Sequence, residues 1–354
     1  MKLIKSINYK ILLLGLTSFS FLGMQKSYAC DSCNFFEYSL LQNKSYLGLF
    51  YRYRGFNDYK SYTAVSPASQ SILTYPQQLS TKLLPGSYPI VMHEPEGNNL
   101  YVRKSKEDFE TYQTIEVRGN FTVKNKWNFT AVLPYEFNKV YYEEYLDLPK
   151  PTRDTTLFVQ GWGDLTLAGD YIWLIYNKKS RHTIRPGFAI NLPTGQALIK
   201  SGNENRDYFD PIIQPGKNAF AFIPRVNYQW FLNNQGVNAG ASYQFSTEGA
   251  QDYQAGDSFN AYAIYFHQFQ ASEKVLLAPN AGFYYEASQK DLWNTIEQDL
   301  TGGKVTFAQI GLDFNVTQTT LNLIYQYPLS QNLNGNQIMH SSRLSVGVIR
   351  NFKL

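Results

Sequence analysis

Phe220-Ala221-Phe222-Ile223-Pro224-Arg225-Val226-Asn227-Tyr228-Gln229-Trp230, then Asn233-Asn234-Gln235-Gly236, then Val237-Asn238-Ala239-Gly240-Ala241-Ser242-Tyr243-Gln244-Phe245: this stretch decides the fold. Successive side chains of an extended chain point to opposite faces. One face of the first run is therefore Phe220, Phe222, Pro224, Val226, Tyr228 and Trp230, and the other is Ala221, Ile223, Arg225, Asn227 and Gln229. The second run sets Val237, Ala239, Ala241, Tyr243 and Phe245 against Asn238, Gly240, Ser242 and Gln244. Two such runs joined by a tight polar turn predict a β-hairpin with one greasy and one polar face.

The same period extends in both directions. Leu47, Leu49, Tyr51 and Tyr53 oppose Gly48, Phe50, Arg52 and Arg54, and Ile115, Val117 and Phe121 oppose Glu116, Arg118 and Asn120. Further strands are expected at 109–123, 127–140, 163–176, 181–192, 257–270, 274–287, 304–316, 318–329 and 340–353, about twelve in all. For the strand at 257–270 the pattern does not separate the two faces. Tight links at 124–126, 177–180, 233–236, 271–274 and 317–318 alternate with longer ones at 57–107, 141–157, 193–217, 247–256, 288–303 and 330–339. Short periplasmic turns, longer extracellular loops and an even strand count are the plan of an outer-membrane barrel. The expected fold is thus all-β, a transmembrane antiparallel up-and-down β-barrel over 44–354, with both chain ends in the periplasm.

A soluble β-sandwich or enclosed ligand-binding barrel would show the same alternation. The membrane barrel is favoured because the second face is rich in Gly, Ser, Asn and Arg but poor in Lys and Glu. Trp127, Trp173, Trp230, Tyr53, Tyr243 and Tyr327 fall near strand ends, where an aromatic girdle would lie. Composition agrees: of 354 residues 28 are Tyr and 24 Phe, and charged residues reach only 17%, against roughly 25% in soluble domains. Mean hydropathy is nonetheless −0.35, because apolar residues alternate with polar ones instead of forming helical spans. A net charge of +4, scattered along the chain, gives no reason to expect a nucleic-acid partner; the expected partners are outer-membrane lipid and a small-molecule solute, and the oligomeric state is left open.

The first 29 residues read as an export signal: Lys2, Lys5 and Lys10, an apolar stretch from Ile11 to Met24, then Ser27-Tyr28-Ala29 with small residues at −3 and −1. The alternative, a membrane anchor, is disfavoured because the apolar stretch is short for a span of ~20 residues. Cleavage would leave a periplasmic segment over 30–43 headed by Cys30-Asp31-Ser32-Cys33, which holds both cysteines of the chain. A disulfide is the default in an oxidising periplasm. The alternatives are a soft-metal site, which needs further ligands, a lipid on Cys30, or a free end.

With the greasy faces toward lipid, the lumen-lining set comprises Arg52, Arg54, Arg118, Arg185, Arg225 and Arg343 together with Glu116, Glu136, Asp164, Asp170, Glu286 and Asp313. Such a balanced set can form a transverse field across a pore or a structural network of Arg–carboxylate pairs. His93, His182, His267 and His340 show no metal-ligand spacing, and no cofactor is expected. His340-Ser341 brings nucleophile and base types together, but neighbours on a strand face opposite ways, so no enzyme is expected. The connector at 57–107, with Pro67, Pro76, Pro85, Pro89 and Pro95, is the expected lid or plug, with a surface loop as the alternative.

Several short motifs, in order, resemble a family of bacterial outer-membrane barrels regarded as transporters and named for the MetA pathway of phenol degradation. They are Gly161-Trp162-Gly163-Asp164-Leu165-Thr166-Leu167, Asn191-Leu192-Pro193-Thr194-Gly195, Gln214-Pro215-Gly216, and Tyr327-Pro328-Leu329-Ser330-Gln331-Asn332-Leu333-Asn334-Gly335 followed by a strand from Arg343 to Phe352. The resemblance implies passive transport of small molecules, hydrophobic or aromatic ones among them. The alternative function is a non-conducting barrel whose loops or Cys30–Cys33 segment bind a partner or metal.

Overall fold

The computed structural model describes residues 45–60, 105–144, 153–177, 179–203 and 206–352. The export signal, Cys30 and Cys33, His93 and most of the connector after the first strand lie outside them. Twelve antiparallel strands each pair with their neighbours in sequence, and the last pairs with the first, closing a barrel. We number them β1 Ser45–Tyr59, β2 Phe109–Val123, β3 Trp127–Glu144, β4 in three pieces (Arg153–Trp162, Leu165–Tyr171, Trp173–Tyr176) and β5 Ser180–Leu192. They continue as β6 Ala221–Leu232, β7 Gln235–Ser246, β8 in two pieces (Ser258–His267, Phe269–Ser272) and β9 Val275–Ser288. Last come β10 Gly303–Val316, β11 Thr319–Leu333 and β12 Ile338–Phe352.

Burial follows the alternation, and it is inverted relative to a soluble protein. Leu47, Leu49, Val117, Phe222, Val226, Leu321 and Leu323 are exposed on the outer face, while Thr114, Glu116, Asn120, Asn238, Asn322 and Gln326 are buried inside. An exterior of this kind belongs in hydrocarbon, and closure leaves no strand edge with unsatisfied backbone groups there. Trp127, Trp173 and Tyr327 are exposed toward the barrel ends, Trp127 with its ring 5.1 Å from that of Tyr171. Lysine at an outward mid-strand site such as Val117 should therefore cost about 2–4 kcal/mol of stability in lipid. Urea titration of the vesicle-embedded barrel measures it, and an unchanged midpoint would place that face out of the membrane.

The tight links are turns that suit their residues. Lys124 and Asn125 both have positive φ, as does Asn233 between β6 and β7, the conformation two-residue hairpins need. At the other end the expected connectors shorten. β3 runs on to Glu144 and β4 starts at Arg153, so 141–157 contracts; β11 and β12 are separated by four residues, not the ten of 330–339. β8 was ambiguous because both its faces are apolar: Ile264 and Phe266 pack inward with Ala278, while Tyr265 faces out.

The expected single strand at 163–176 is in fact the lower part of β4, which breaks at 163–164. The cause lies across the sheet. Pairing runs through Tyr135↔Trp162 and resumes at Val132↔Thr166, leaving Leu133 and Pro134 opposite the break. The Pro134 carbonyl accepts the Gly163 N–H at 2.9 Å, but proline has no N–H to return the bond.

Candidate functional site: a charged cavity beneath an inward-folded loop

At the break in β4 three distant stretches meet. Oδ1 of Asp164 accepts the N–H of Gly195 at 2.8 Å, and Oδ2 accepts that of Lys217 at 2.9 Å. Leu165 N–H donates to Oγ1 of Thr194 at 2.9 Å, and Gln196 N–H donates to the Trp162 carbonyl at 2.8 Å. Gly163, Gly195 and Gly216 stack backbone on backbone: a Cβ on Gly195 would lie 2.7 Å from the Gly163 carbonyl carbon and 2.8 Å from the Gly216 Cα. Close approach is what these glycines supply.

The junction draws 193–217 into the barrel mouth. Ile213 packs on the inward-facing Val140, Tyr142 and Val159, and its carbonyl accepts Nδ2 of Asn138 at 2.9 Å. Buried Gln214 holds the segment together, donating to the Phe209 carbonyl at 2.9 Å and accepting from Ile199 N–H at 3.2 Å. Nζ of Lys217 donates to the Pro211 and Ile212 carbonyls at 2.6 and 3.0 Å. The connector at 57–107, for which the sequence leaves a lid or plug and a surface loop open, lies mostly outside the described residues; among those described, 193–217 enters the barrel.

Beneath this loop lies a cavity of about 140 Å³. One wall carries Arg52, Arg54, Glu116, Arg118 and Glu136, with Asp164 and Lys217 at the loop; the facing wall carries Ile223, Ser242, Gln244 and Asn260. Glu116 lies between Arg52 and Arg118 and pairs with both, the Arg118 Nε bond measuring 2.7 Å. The Arg118 guanidinium stacks 4.3 Å over Phe50, and that of Arg54 lies 5.3 Å over Tyr112. Glu136 accepts Nδ2 of Asn138 at 3.2 Å.

The remaining charges of the expected set lie away from this cavity. Toward the turn end, Arg225 grips Asp170 with two bonds of 2.8 and 2.7 Å. The pair crosses β5 above Gly187, where a Cβ would sit 1.8 Å from Oδ1 of Asp170. Arg185 is buried on β5. On the opposite wall Arg343 holds Glu286 at 2.7 and 2.8 Å and stacks 4.0 Å over Phe307, and Asp313 accepts Nδ2 of Asn322 at 2.5 Å. A register shift between Arg54↔Arg343 and Phe56↔His340 turns both His340 and Arg343 inward. Nδ1 of His340 is 3.0 Å from Nη2 of Arg343, which can only donate, so that nitrogen accepts.

The twelve residues thus form separate groups, not one ring. Asp164 departs furthest from its expected part, since its oxygens serve backbone N–H groups of a loop. Lys217, Tyr112 and Gln214 belong to the site but were not singled out by the alternation. Lys217 and Gln214 stand in a connector where no period applies, although Gln214-Pro215-Gly216 marked the place.

Closed strands, an apolar exterior and a polar interior define this as a β-barrel of the outer-membrane class. Residues 146–332, just over half of the chain, match the family described as "Putative MetA-pathway of phenol degradation", and the chain belongs to that family. No curated protein matches it. Among solved structures, an outer membrane channel from Pseudomonas putida F1 is similar, with 15% identity, a TM-score of 0.55, and 89% of this chain and 98% of that one covered. A Pseudomonas aeruginosa FadL homologue aligns at 11% identity over 88% and 91% of the two chains with a TM-score of 0.36. The NanC porin aligns at 14% identity over 69% and 94% with a TM-score of 0.37. At 15% identity the likeness to the Pseudomonas putida channel is one of fold.

Proposed function

We propose that the barrel is a channel for passive movement of small molecules across the outer membrane, turn end in the periplasm, with the cavity under 193–217 on the solute's path. The observation that carries the reading is the cavity itself, enclosed by a closed barrel and walled by Arg52, Arg54, Glu116, Arg118 and Glu136. A barrel that served only as an anchor has no use for buried charges gathered around a cavity, since burying them is costly. Farther toward the turn end, the Asp170–Arg225 pair is the next charged group on that path.

A specific observation also favours a non-conducting barrel whose loops or Cys30–Cys33 segment bind a partner or metal. Below the cavity the interior is filled: Phe266, Gln326, Thr320 and Asn238 are each at most 1% exposed. Planar-bilayer recording and liposome swelling with the purified barrel decide between the two. Steady conductance or solute entry above protein-free vesicles supports the channel, and silence in both assays supports the binding barrel.

A further inference from the structure

The turn end of the barrel does not share its charge evenly around the rim. Lys124 and Lys126 flank Asn125 in the β2–β3 turn, Lys179 stands in the β4–β5 turn, and Arg350 lies on the outward face of β12; all four are exposed. Among the described residues none of them is in an ion pair, and Arg350 donates only to Oγ1 of Thr319, at 2.9 Å. The carboxylate of this arc nearest the turns, Asp170, faces inward to Arg225. On the rest of the rim the described turns carry only Glu273 beside Lys274, which cancel.

The same arc is aromatic on its outer wall. The Phe352 ring lies 6.1 Å from that of Phe121, Phe121 stands opposite Phe129, and the Trp127 ring lies 5.1 Å from that of Tyr171. Trp173 and Tyr176 are exposed on the next part of β4. The Ile172 N–H donates to the Lys126 carbonyl at 2.7 Å, so the β2–β3 turn is tied to the strand that leads into the β4–β5 turn. Aromatic side chains of this kind sit at headgroup depth, and a cation beside them meets lipid phosphate.

We propose that this arc binds anionic glycerophospholipid, its phosphodiester against Lys124, Lys126, Lys179 and Arg350 and its acyl chains along the aromatic band. A zwitterionic headgroup brings its own cation to the same place, so the arc selects lipid of net negative charge. An acidic soluble protein could meet the cations, but the aromatic wall beside them faces hydrocarbon and is open only to lipid. With the turn end in the periplasm, the leaflet concerned is the periplasmic one. The inference goes beyond the channel reading, since it needs the barrel in lipid and not conduction through it.

Brominated phosphatidylglycerol and brominated phosphatidylcholine are the probes. Each is mixed with its unbrominated form around the full-length barrel in symmetric vesicles, where the direction of insertion does not matter. Quenching of tryptophan fluorescence, with Trp127 and Trp173 at the arc, gives the relative affinity of the two lipids. Phosphatidylglycerol should be preferred at least about fivefold, which corresponds to ~1 kcal/mol for one basic side chain at a charged lipid surface. Lys124→Gln, Lys126→Gln and Lys179→Gln together should bring the ratio close to one, whereas Lys274→Gln on the other part of the rim should leave it unchanged. These lysines are exposed, and retarded migration of the unheated barrel on a gel verifies that the variants are folded. No preference in the parent, or a preference that survives the triple substitution, overturns the site; the first result would turn the cations toward an acidic soluble partner. Equal loss in Lys274→Gln overturns its confinement to this arc. Glycerol phosphate that removes the preference, where chloride of the same ionic strength does not, would make the arc a site for soluble phosphate and overturn the lipid.

Discussion

Glu116→Gln should destabilise the barrel by about 3–5 kcal/mol, the cost of leaving a buried charge without its partner. Two guanidiniums depend on this carboxylate, and the Glu116, Arg118 and Arg52 side chains are only 3%, 5% and 12% exposed. Removing the carboxylate leaves two cations side by side on adjacent strands, so desolvation and like-charge repulsion act together. The measurement is urea unfolding in lipid vesicles, with retarded migration of the unheated barrel on a gel as a second readout. A comparison fixes the cause. On the outer loop Lys290 pairs with Asp299 and Glu297, whose side chains are more than half exposed, and Asp299→Asn should cost at most about 1 kcal/mol. Replacing Arg52 and Arg118 by Met and Glu116 by Leu together should recover most of the loss, because an apolar cluster of similar volume needs no charge partner. An unchanged midpoint in Glu116→Gln, or a triple variant weaker than the single one, would show that pairing is not what holds these charges.

How far the sequence revealed this molecule depends on the range of the interaction concerned. The bounds of β2 and the two faces of β6 and β7 could be read from alternation, because a strand's period is local and lipid on one side makes it sharp. β8 could not be oriented, since the lumen beside it is apolar at Ile264 and Phe266. The break in β4 has its cause in Pro134 on another strand, which becomes visible only once Trp162 is set opposite Tyr135. Inward placement of charges was legible in the same way, but their grouping was not: Glu286 and Arg343 stand on β9 and β12, and nothing in one strand names the other. The loop at 193–217 carried a signal that alternation does not weigh. Ile212 and Ile213 form an apolar pair in a polar connector, and Ile213 is buried in the barrel mouth.

The family motifs acquire a physical reason at the same junction, and Gly195→Ala should expose it. Gly161-Trp162-Gly163-Asp164, Leu192-Pro193-Thr194-Gly195 and Gln214-Pro215-Gly216 are separated by tens of residues, yet Asp164 binds backbone N–H groups beside the other two. A methyl group on Gly195 would sit 2.7 Å from the Gly163 carbonyl carbon and 2.8 Å from both the Asp164 nitrogen and the Gly216 Cα. All three obstacles are backbone, so none can swing aside as a side chain would, and overpacking of this sort costs about 1–3 kcal/mol or more. The strain should be relieved where the structure is weakest, by release of 193–217 from the barrel mouth while the strands stay paired. Trypsin would then cut after Lys200 many times faster than in the parent protein, with the urea midpoint of the barrel little changed. Asp164→Ala should act in the same direction without forcing a clash, since it leaves two N–H groups without their acceptor at about 1–3 kcal/mol each. If the cavity lies on a solute's path, conductance should rise above the parent's in both variants, in step with the rate of proteolysis. Proteolysis that does not change in Gly195→Ala would mean that the junction does not hold the loop. Faster proteolysis with unchanged conductance would mean that the loop is held there but does not limit passage, and the constriction would then lie lower, at Asp170 and Arg225.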